Sequence, residues 1–561
     1  MKKILLFLSV LLTYSSSFAQ IDVTATSGTP FASYATLKDA FDALNSGIQT
    51  GTITIAISGN TTETASAVLN ASGTGGANYT SITISPTGGV LRTISGSLAS
   101  ALVDLNGADN VTIDGLNTGG NALTFDNQNT GIAGTTTIRF IGDATNNTIN
   151  NCTLLGASTS ASTGTVFFST GLATGNSNNM INNCTVSGSG ATFATNGIFS
   201  SGTVNFNNSN NTIQNCKIEN TFSGTLASVG ILVATNNSTW TIHNNKFYQT
   251  ASRTYTTANT HRAIQVTTGN GYTITNNVIG YASNTATGIY TMLGTIATRF
   301  IAIDLAVGTT VATSVQNNTV SSISLNTSSG AATANGVLCG LNITAGNVNV
   351  GNITPNTFGG ASPTLNSLSV ISTSTQGSVV GINSSSTGAI LIQGNIFGGF
   401  SSGNTAAIGG GVFGINVSGA AASMTITNNI IGNTTADNMR AGISGTTTTG
   451  SSIAVGINVT SAAVVLNVTG NTVQNFSSFQ TTGTGYARGI VQTVAGTGAV
   501  FNGNTVRELK TGSALTVYTS GLVSVAGIYV AAGTNPSING NTIYNLSNIN
   551  TGTGNYTVAG I

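Results

Sequence analysis

The segment Thr273-Ile274-Thr275-Asn276-Asn277-Val278-Ile279-Gly280 decides the fold. Ile274 and Ile279 are apolar, and Asn276-Asn277 stands between them. Asn tolerates a left-handed backbone that most residues avoid. The phrase therefore reads as strand, tight bend, strand. The same phrase recurs through the chain. With one anchor per copy, the anchors are Cys152, Cys184, Cys216, Asn245, Asn277, Asn318, Asn356, Asn395, Asn429, Asn471, Asn504 and Asn541, about 35 residues apart on average. Three residues before each anchor stands Ile, Val or Phe, from Ile149 and Ile181 through Ile353 to Ile538. Two residues after it stands Leu, Val, Ile or Phe, from Leu154 to Ile543. The residue just before the anchor is Asn or Gly, except Pro355. Two apolar columns with a polar bend between them require stacked copies that share one core.

The anchor column is polar yet lies between core columns. Parallel strands stack about 4.8 Å apart, so the Asn amides of neighbouring copies lie within hydrogen-bond reach. Asn245, Asn277, Asn318, Asn395, Asn429, Asn471, Asn504 and Asn541 are thus expected to form an asparagine ladder. Cys152, Cys184 and Cys216 take the place of Asn in the first three copies, as small buried hydrophobes. Their Cβ atoms are expected to lie too far apart for a disulfide, so free thiols are the favoured reading. A third strand precedes each bend and carries Gly or Ala before an aliphatic residue, as in Gly230-Ile231, Ala263-Ile264, Gly381-Ile382, Gly456-Ile457 and Gly527-Ile528. The spacing from this strand to the following anchor is nearly constant. The spacing from an anchor to the next such strand is variable, so insertions emerge along one side.

These motifs, Gly-Ile-x-Val followed by Ile-x-Asn-Asn-x-Ile, resemble the repeat of the pectin-lyase-like superfamily over roughly residues 50–561. The resemblance implies an all-β chain, a right-handed parallel β-helix solenoid. It implies little about activity, because one coil carries lyases, hydrolases and adhesins. The Asn/Thr/Gly style, and a leader ending in Ala-Gln, also resemble large surface proteins of Bacteroidota.

Residues 1–20 read as a secretory signal: Lys2 and Lys3, an apolar run Ile4 to Leu12, then Ser-Phe-Ala-Gln. Residues 21–50 are expected to form an N-terminal cap with a short helix. Tyr34, Leu37, Ala40, Phe41 and Leu44 have helical spacing, Thr36-x-x-Asp39 suits an N-terminal cap, and Gly47 suits a stop. Irregular first layers occupy 51–143 and regular repeats 144–561, the last of which is expected to be cut within a repeat. No later apolar run reaches membrane-helix length. A net charge of +1 with no basic tract argues against nucleic acid. The chain is expected to be secreted or on the outer cell surface.

Chemistry is sparse. Thirteen acids occur, and only Glu219, Asp304, Asp437 and Glu508 lie beyond residue 144. They are over 70 residues apart in sequence, too scattered for the facing carboxylates of glycoside hydrolysis. The motifs of polygalacturonases, pectate lyases and pectin methylesterases are absent. No catalytic residue, metal site or cofactor is assigned. One cluster has contact chemistry: Trp240, His243, Lys246, Tyr248, Arg253, Tyr255, His261 and Arg262 hold both histidines and the sole tryptophan. Three readings apply to it. It is a polar outer corner, since His243 shares its column with Asn150, Asn182, Gln214 and Thr275; or a platform for a polysaccharide or cell-surface glycan; or a lyase site. The functional expectation is a non-catalytic adhesive or structural module, with a polysaccharide-active enzyme, such as a lyase, as the alternative.

Overall fold

The computed structural model describes residues 19–561 except 132–133, 331–335, 361–366, 374–375, 404–407, 444–447, 461, 464, 516–522 and 554–555. The expected signal segment up to residue 18 lies outside the described residues. The chain winds as stacked coils whose strands pair in parallel with the same strand of the next coil. Coil-to-coil returns of this kind are right-handed by the crossover rule. The fold is the expected all-β, right-handed parallel β-helix solenoid with a short capping helix.

Three ladders of strands run the length of the coil. The first carries Ile149, Ile181, Ile213, Ile242, Ile274 and Val315 in direct register. The second carries Leu154, Val186, Ile218, Phe247, Ile279 and Val320. All twelve side chains are buried, each contributing about 1.5–3 kcal/mol relative to exposure. Between the two ladders the chain turns through one left-handed residue, such as Asn151 (φ 55°), Asn276 (φ 60°) and Asn428 (φ 55°), or Gly470 (φ 65°). The expected bend is therefore present.

One layer departs from the counted pattern. The offset from Asn356 puts Ile353 in the first apolar column. It is instead 77% exposed, and Val350 takes the column, pairing with Val315 and Ile392. Pro355 has no N–H for the bend and a fixed φ. Here the chain bulges outward through Gly351 to Thr354, and the Gln316 amide holds it, accepting from Ile353 N (3.1 Å) and donating to Asn352 Oδ1 (2.8 Å).

The third ladder contains the Gly-Ile strands. Ile198, Ile231, Ile264, Ile303, Leu341, Ile382, Ile415, Ile457, Ile490 and Ile528 pair in one buried column. The preceding residue is small, Ala at Ala263 and Ala302 and otherwise Gly, and at Gly381 close approach leaves no room for a side chain. A Cβ on Gly381 would lie 2.5 Å from Cδ1 of Phe397 and 2.6 Å from the Gly414 carbonyl oxygen. The insertions do not emerge only as loops. From Arg253–Thr254 onward they form a further parallel ladder, through Tyr290–Leu293, Ile323–Thr327, Leu368–Ser372, Phe400–Ser402 and Met439–Ala441. It merges with the second ladder in the continuous strand Thr472–Ser478.

At the N-terminal end, Ile21–Gly28 pairs antiparallel with Phe31–Tyr34 and Gln49–Ile57. The helix Leu37–Asn45 lies over the first layer and buries Leu37, Ala40, Phe41 and Leu44. Thr36 Oγ1 accepts from Asp39 N at 3.1 Å. The carboxylate at this helix start is Glu63 of the next layer, which accepts from Leu37 N and Lys38 N at 3.0 Å. Gly47 is left-handed at φ 75°. Among the described residues no helix is long and apolar enough to cross a membrane.

The asparagine ladder forms along the bend. Each Nδ2 from Asn245 to Asn504 donates to Oδ1 of the next anchor at 2.9–3.1 Å, Asn356 included. The same oxygen also accepts the backbone N–H of the donor residue, as from Asn277 N to Asn318 (3.0 Å). The second Nδ2 hydrogen goes to the carbonyl of the first apolar column one layer back, as from Asn471 to Ile426 (2.9 Å). Every anchor amide from Asn245 to Asn504 is thus satisfied within the core. Cys152, Cys184, Cys216 and Cys339 are free and buried.

Candidate functional site

The eight residues singled out for contact do not form one site. Trp240 is fully buried in the core, donates from Nε1 to the Asn208 carbonyl (2.8 Å) and meets Phe168 edge-on at 4.9 Å. It therefore offers no sugar platform. Its position sits two residues before Ile242, a column occupied in earlier layers by buried Asn147, Asn179 and Asn211 and next by buried Tyr272. Tyr255 and His261 are also interior, their rings 4.1 Å apart. His261 Nδ1 accepts from Ser228 N (3.2 Å). Burial, and then the neighbouring Arg262, push its pKa down to about 3, so the imidazole is neutral at ordinary pH.

The other members scatter. Tyr248 is buried, and burial with the Glu219 carboxylate beside it pushes its phenol pKa up. Arg253 lies 3.9 Å over the Phe193 ring and donates to Asn220 Oδ1 (2.9 Å). His243 is on the outer face of the first ladder, half-buried, with Nδ1 2.9 Å from Thr275 Oγ1. Lys246 is exposed on the second ladder and donates to the Asn284 carbonyl (2.7 Å). Arg262 lines a groove.

That groove lies on the outer face of the third ladder. It has a volume of about 230 Å³ and is lined by Thr260, Arg262, Gln265, Arg299, Asp304 and Asn342, among others. Arg262 Nε donates to Asp304 Oδ2 at 2.5 Å, and Arg299 donates to the Gly336 carbonyl (3.1 Å). Asn342 Nδ2 donates to the other Asp304 oxygen at 2.7 Å. A second chain of amides starts from this contact. Asn383 donates to Asn342, Asn416 to Asn383 and Asn458 to Asn416, at 2.7–2.8 Å. It points its N–H groups toward the N-terminal end, opposite to the inner ladder. The series ends on a carboxylate that accepts from both sides, a charge-assisted termination.

No protein-family model matches the chain, and no curated protein matches it. Solved structures similar to it include the following three. Two are of PfbA, a surface adhesin of Streptococcus pneumoniae. One is 13% identical, covers 71% of this chain and 86% of its own, and has a TM-score of 0.33; the other is 10% identical over 93% and 94%, with a TM-score of 0.16. The A-module of mannuronan C-5 epimerase AlgE6 from Azotobacter vinelandii is 12% identical over 83% and 90%, with a TM-score of 0.30. Likeness this faint carries no argument about ligand or activity. The fold stands on this chain's own strand pairings, and the resemblance to Bacteroidota surface proteins has no support among the three.

The acids of the regular region are engaged one by one. Asp304 pairs with Arg262, Asp437 with Lys510 (2.7 Å), and Glu508 accepts from Asn545 (2.7 Å). Among the described residues no three His, Cys, Asp or Glu side chains gather as a metal site. The groove residues Gln265, Asp304 and Asn342 escaped the sequence reading. Their signal was present: each directly follows the aliphatic residue of the third strand, and alternation turns that position outward.

Proposed function

We propose that the chain is a secreted or cell-surface, non-catalytic adhesive or structural module that contacts glycan through the Arg262–Asp304 groove. The observation that carries this reading is the groove itself. It is open, it offers guanidinium, carboxylate, amide and hydroxyl groups on a rigid parallel sheet, and its carboxylate is already held by an arginine and an asparagine. Such groups suit the hydroxyls of a sugar. Both oxygens of that carboxylate already accept from protein donors, one from Arg262 and one from Asn342, so it serves as a fixed acceptor in the groove wall. Regular repetition supplies length without new chemistry, which suits a spacer or a contact surface.

The test is a glycan-array screen of the secreted chain beside its Arg262→Ala variant. The strongest glycans are then incubated with protein, with and without calcium, and ultraviolet absorbance and reducing ends are followed. Binding without turnover, lost in Arg262→Ala, supports the reading. An unsaturated product that disappears in Arg262→Ala replaces it with the lyase alternative.

A further inference from the structure

Arg440 is set apart from the other arginines of the chain. Each of the other seven donates to a carboxylate, an amide or a backbone oxygen. Arg440 donates to no protein acceptor among the described residues and has no carboxylate within 4 Å. It is nevertheless half-buried. A guanidinium has five donors in a fixed fork, and partial burial without an acceptor is costly.

Its surroundings are shaped. Arg440 projects from the inserted ladder, in the register column Ser324, Ser369, Ser401, Arg440, Ser477. A groove of about 430 Å³ opens there, lined by Ser369, Ser401 and Arg440 with Ile371 and Ile443. The hydroxyls of Ser369 and Ser401 have no protein partner among the described residues. Successive column positions are about 4.8 Å apart. The nearest acid in sequence, Asp437, is occupied: its Oδ1 accepts from Ser477 Oγ (2.5 Å) and Lys510 Nζ (2.7 Å). The region 144–561 also carries nine Lys and Arg against four Asp and Glu, so its field favours anions.

We infer that this groove is an oxyanion site, in which the Arg440 fork takes a carboxylate or sulfate group and the Ser369 and Ser401 hydroxyls donate to the same ligand. Arg440 is built for this geometry: a planar fork matches two oxygens of one anion, and serine hydroxyls supply rotatable donors beside it. The site lies on the inserted ladder, apart from the third ladder that bears the Arg262 groove, and it does not depend on that groove binding sugar.

The full chain and its Arg440→Gln and Arg440→Lys variants are titrated with chondroitin sulfate, polygalacturonate and dextran at low and moderate salt. The parent chain is expected to bind at least one of the two anionic polymers, more weakly as salt rises. Chondroitin sulfate carries both groups and polygalacturonate only carboxylates, so binding of polygalacturonate assigns carboxylate, and binding of chondroitin sulfate alone assigns sulfate. Arg440→Gln is expected to weaken that binding about tenfold or more, with Arg440→Lys between the two. Because Arg440 has no protein partner among the described residues, the fold should persist, and unchanged Trp240 emission checks this. Parent-like titration by Arg440→Gln, or a parent that binds neither polymer, overturns the site. An Arg262→Gln variant run alongside reports on the other groove, so one can fail without the other.

Discussion

The Oδ1 of Asn504 accepts two hydrogen bonds from Asn471, one from its backbone N–H (3.0 Å) and one from its Nδ2 (3.1 Å). Asn471 in turn serves Asn429 in the same way, at 3.0 and 2.9 Å. Replacing Asn471 by Leu removes the acceptor of two Asn429 donors and the donor to the Ile426 carbonyl. Each buried group left unpaired costs about 1–3 kcal/mol. Asn471→Leu is therefore expected to lower stability by several kcal/mol in urea or thermal unfolding, although Leu is as bulky and more apolar. An unchanged midpoint removes the ladder from the account of this bend.

The cysteine column leads to the opposite expectation. Cys216 N already donates to Asn245 Oδ1 (3.0 Å), and its thiol sits 3.6 Å from the Ile181 carbonyl. In later layers those two oxygens are the partners of an asparagine Nδ2. Cys216→Asn should extend the ladder by one rung and raise stability by about 0.5–1.5 kcal/mol. Burial, above all, pushes the Cys184 and Cys216 thiols up in pKa, and the thiolate is the reactive form. In the parent chain both should resist iodoacetamide until the coil unfolds, as mass spectrometry of labelled peptides will show.

His261 makes stability depend on pH. Its folded pKa of about 3 lies below the ordinary 6.5. Above pH 6.5 the imidazole is neutral in both states and stability is full. As pH falls from 6.5 toward 3, the unfolded chain takes a proton that the folded chain refuses. Stability then declines by up to about 1.4 kcal/mol per pH unit, on the order of 4 kcal/mol in all. His261→Asn should flatten this part of the profile relative to the parent. Parallel profiles for the two proteins over pH 6.5 to 4 would show that the ring is not held neutral.

Trp240 is a core residue, and its substitutions should read accordingly. Trp240→Ala is expected to cost about 3–5 kcal/mol. Trp240→Phe keeps most of the packing but strands the Asn208 carbonyl, at about 1–3 kcal/mol. Glycan binding per folded molecule should be the same in the parent and Trp240→Phe. Loss of binding without loss of stability returns Trp240 to the surface.

The coil was legible because its two governing columns are local. Ile274 and Ile279 flank a bend of fixed length, so counting from Asn277 finds the core directly. Counting failed at Pro355, where an altered bend displaced Ile353 and brought Val350 inward. The contact cluster failed for a different reason. Nearness in sequence does not tell which way a side chain turns at a corner between ladders. Trp240, Tyr255 and His261 stand at or near such corners and turn in, whereas Arg262, one residue beyond His261, turns out. Column membership was the better guide: Trp240 shares a place with Asn211 and Tyr272, which are also interior. The Arg440 groove was illegible because it depends on an inserted ladder whose register no fixed spacing announces.

Each rung of the inner ladder receives its acceptor from the turn that follows and lends its own to the turn before. Rungs from Asn245 to Asn504 are therefore chemically interchangeable. A block of one full turn can be duplicated or deleted between any two of them, and every buried amide will again find a neighbour of the same kind. Point changes in this column break bonds; changes of whole turns need not. Length is thus the property that this architecture leaves freest to vary in descent, and with it the span between the capping helix and the two grooves farther along the rod.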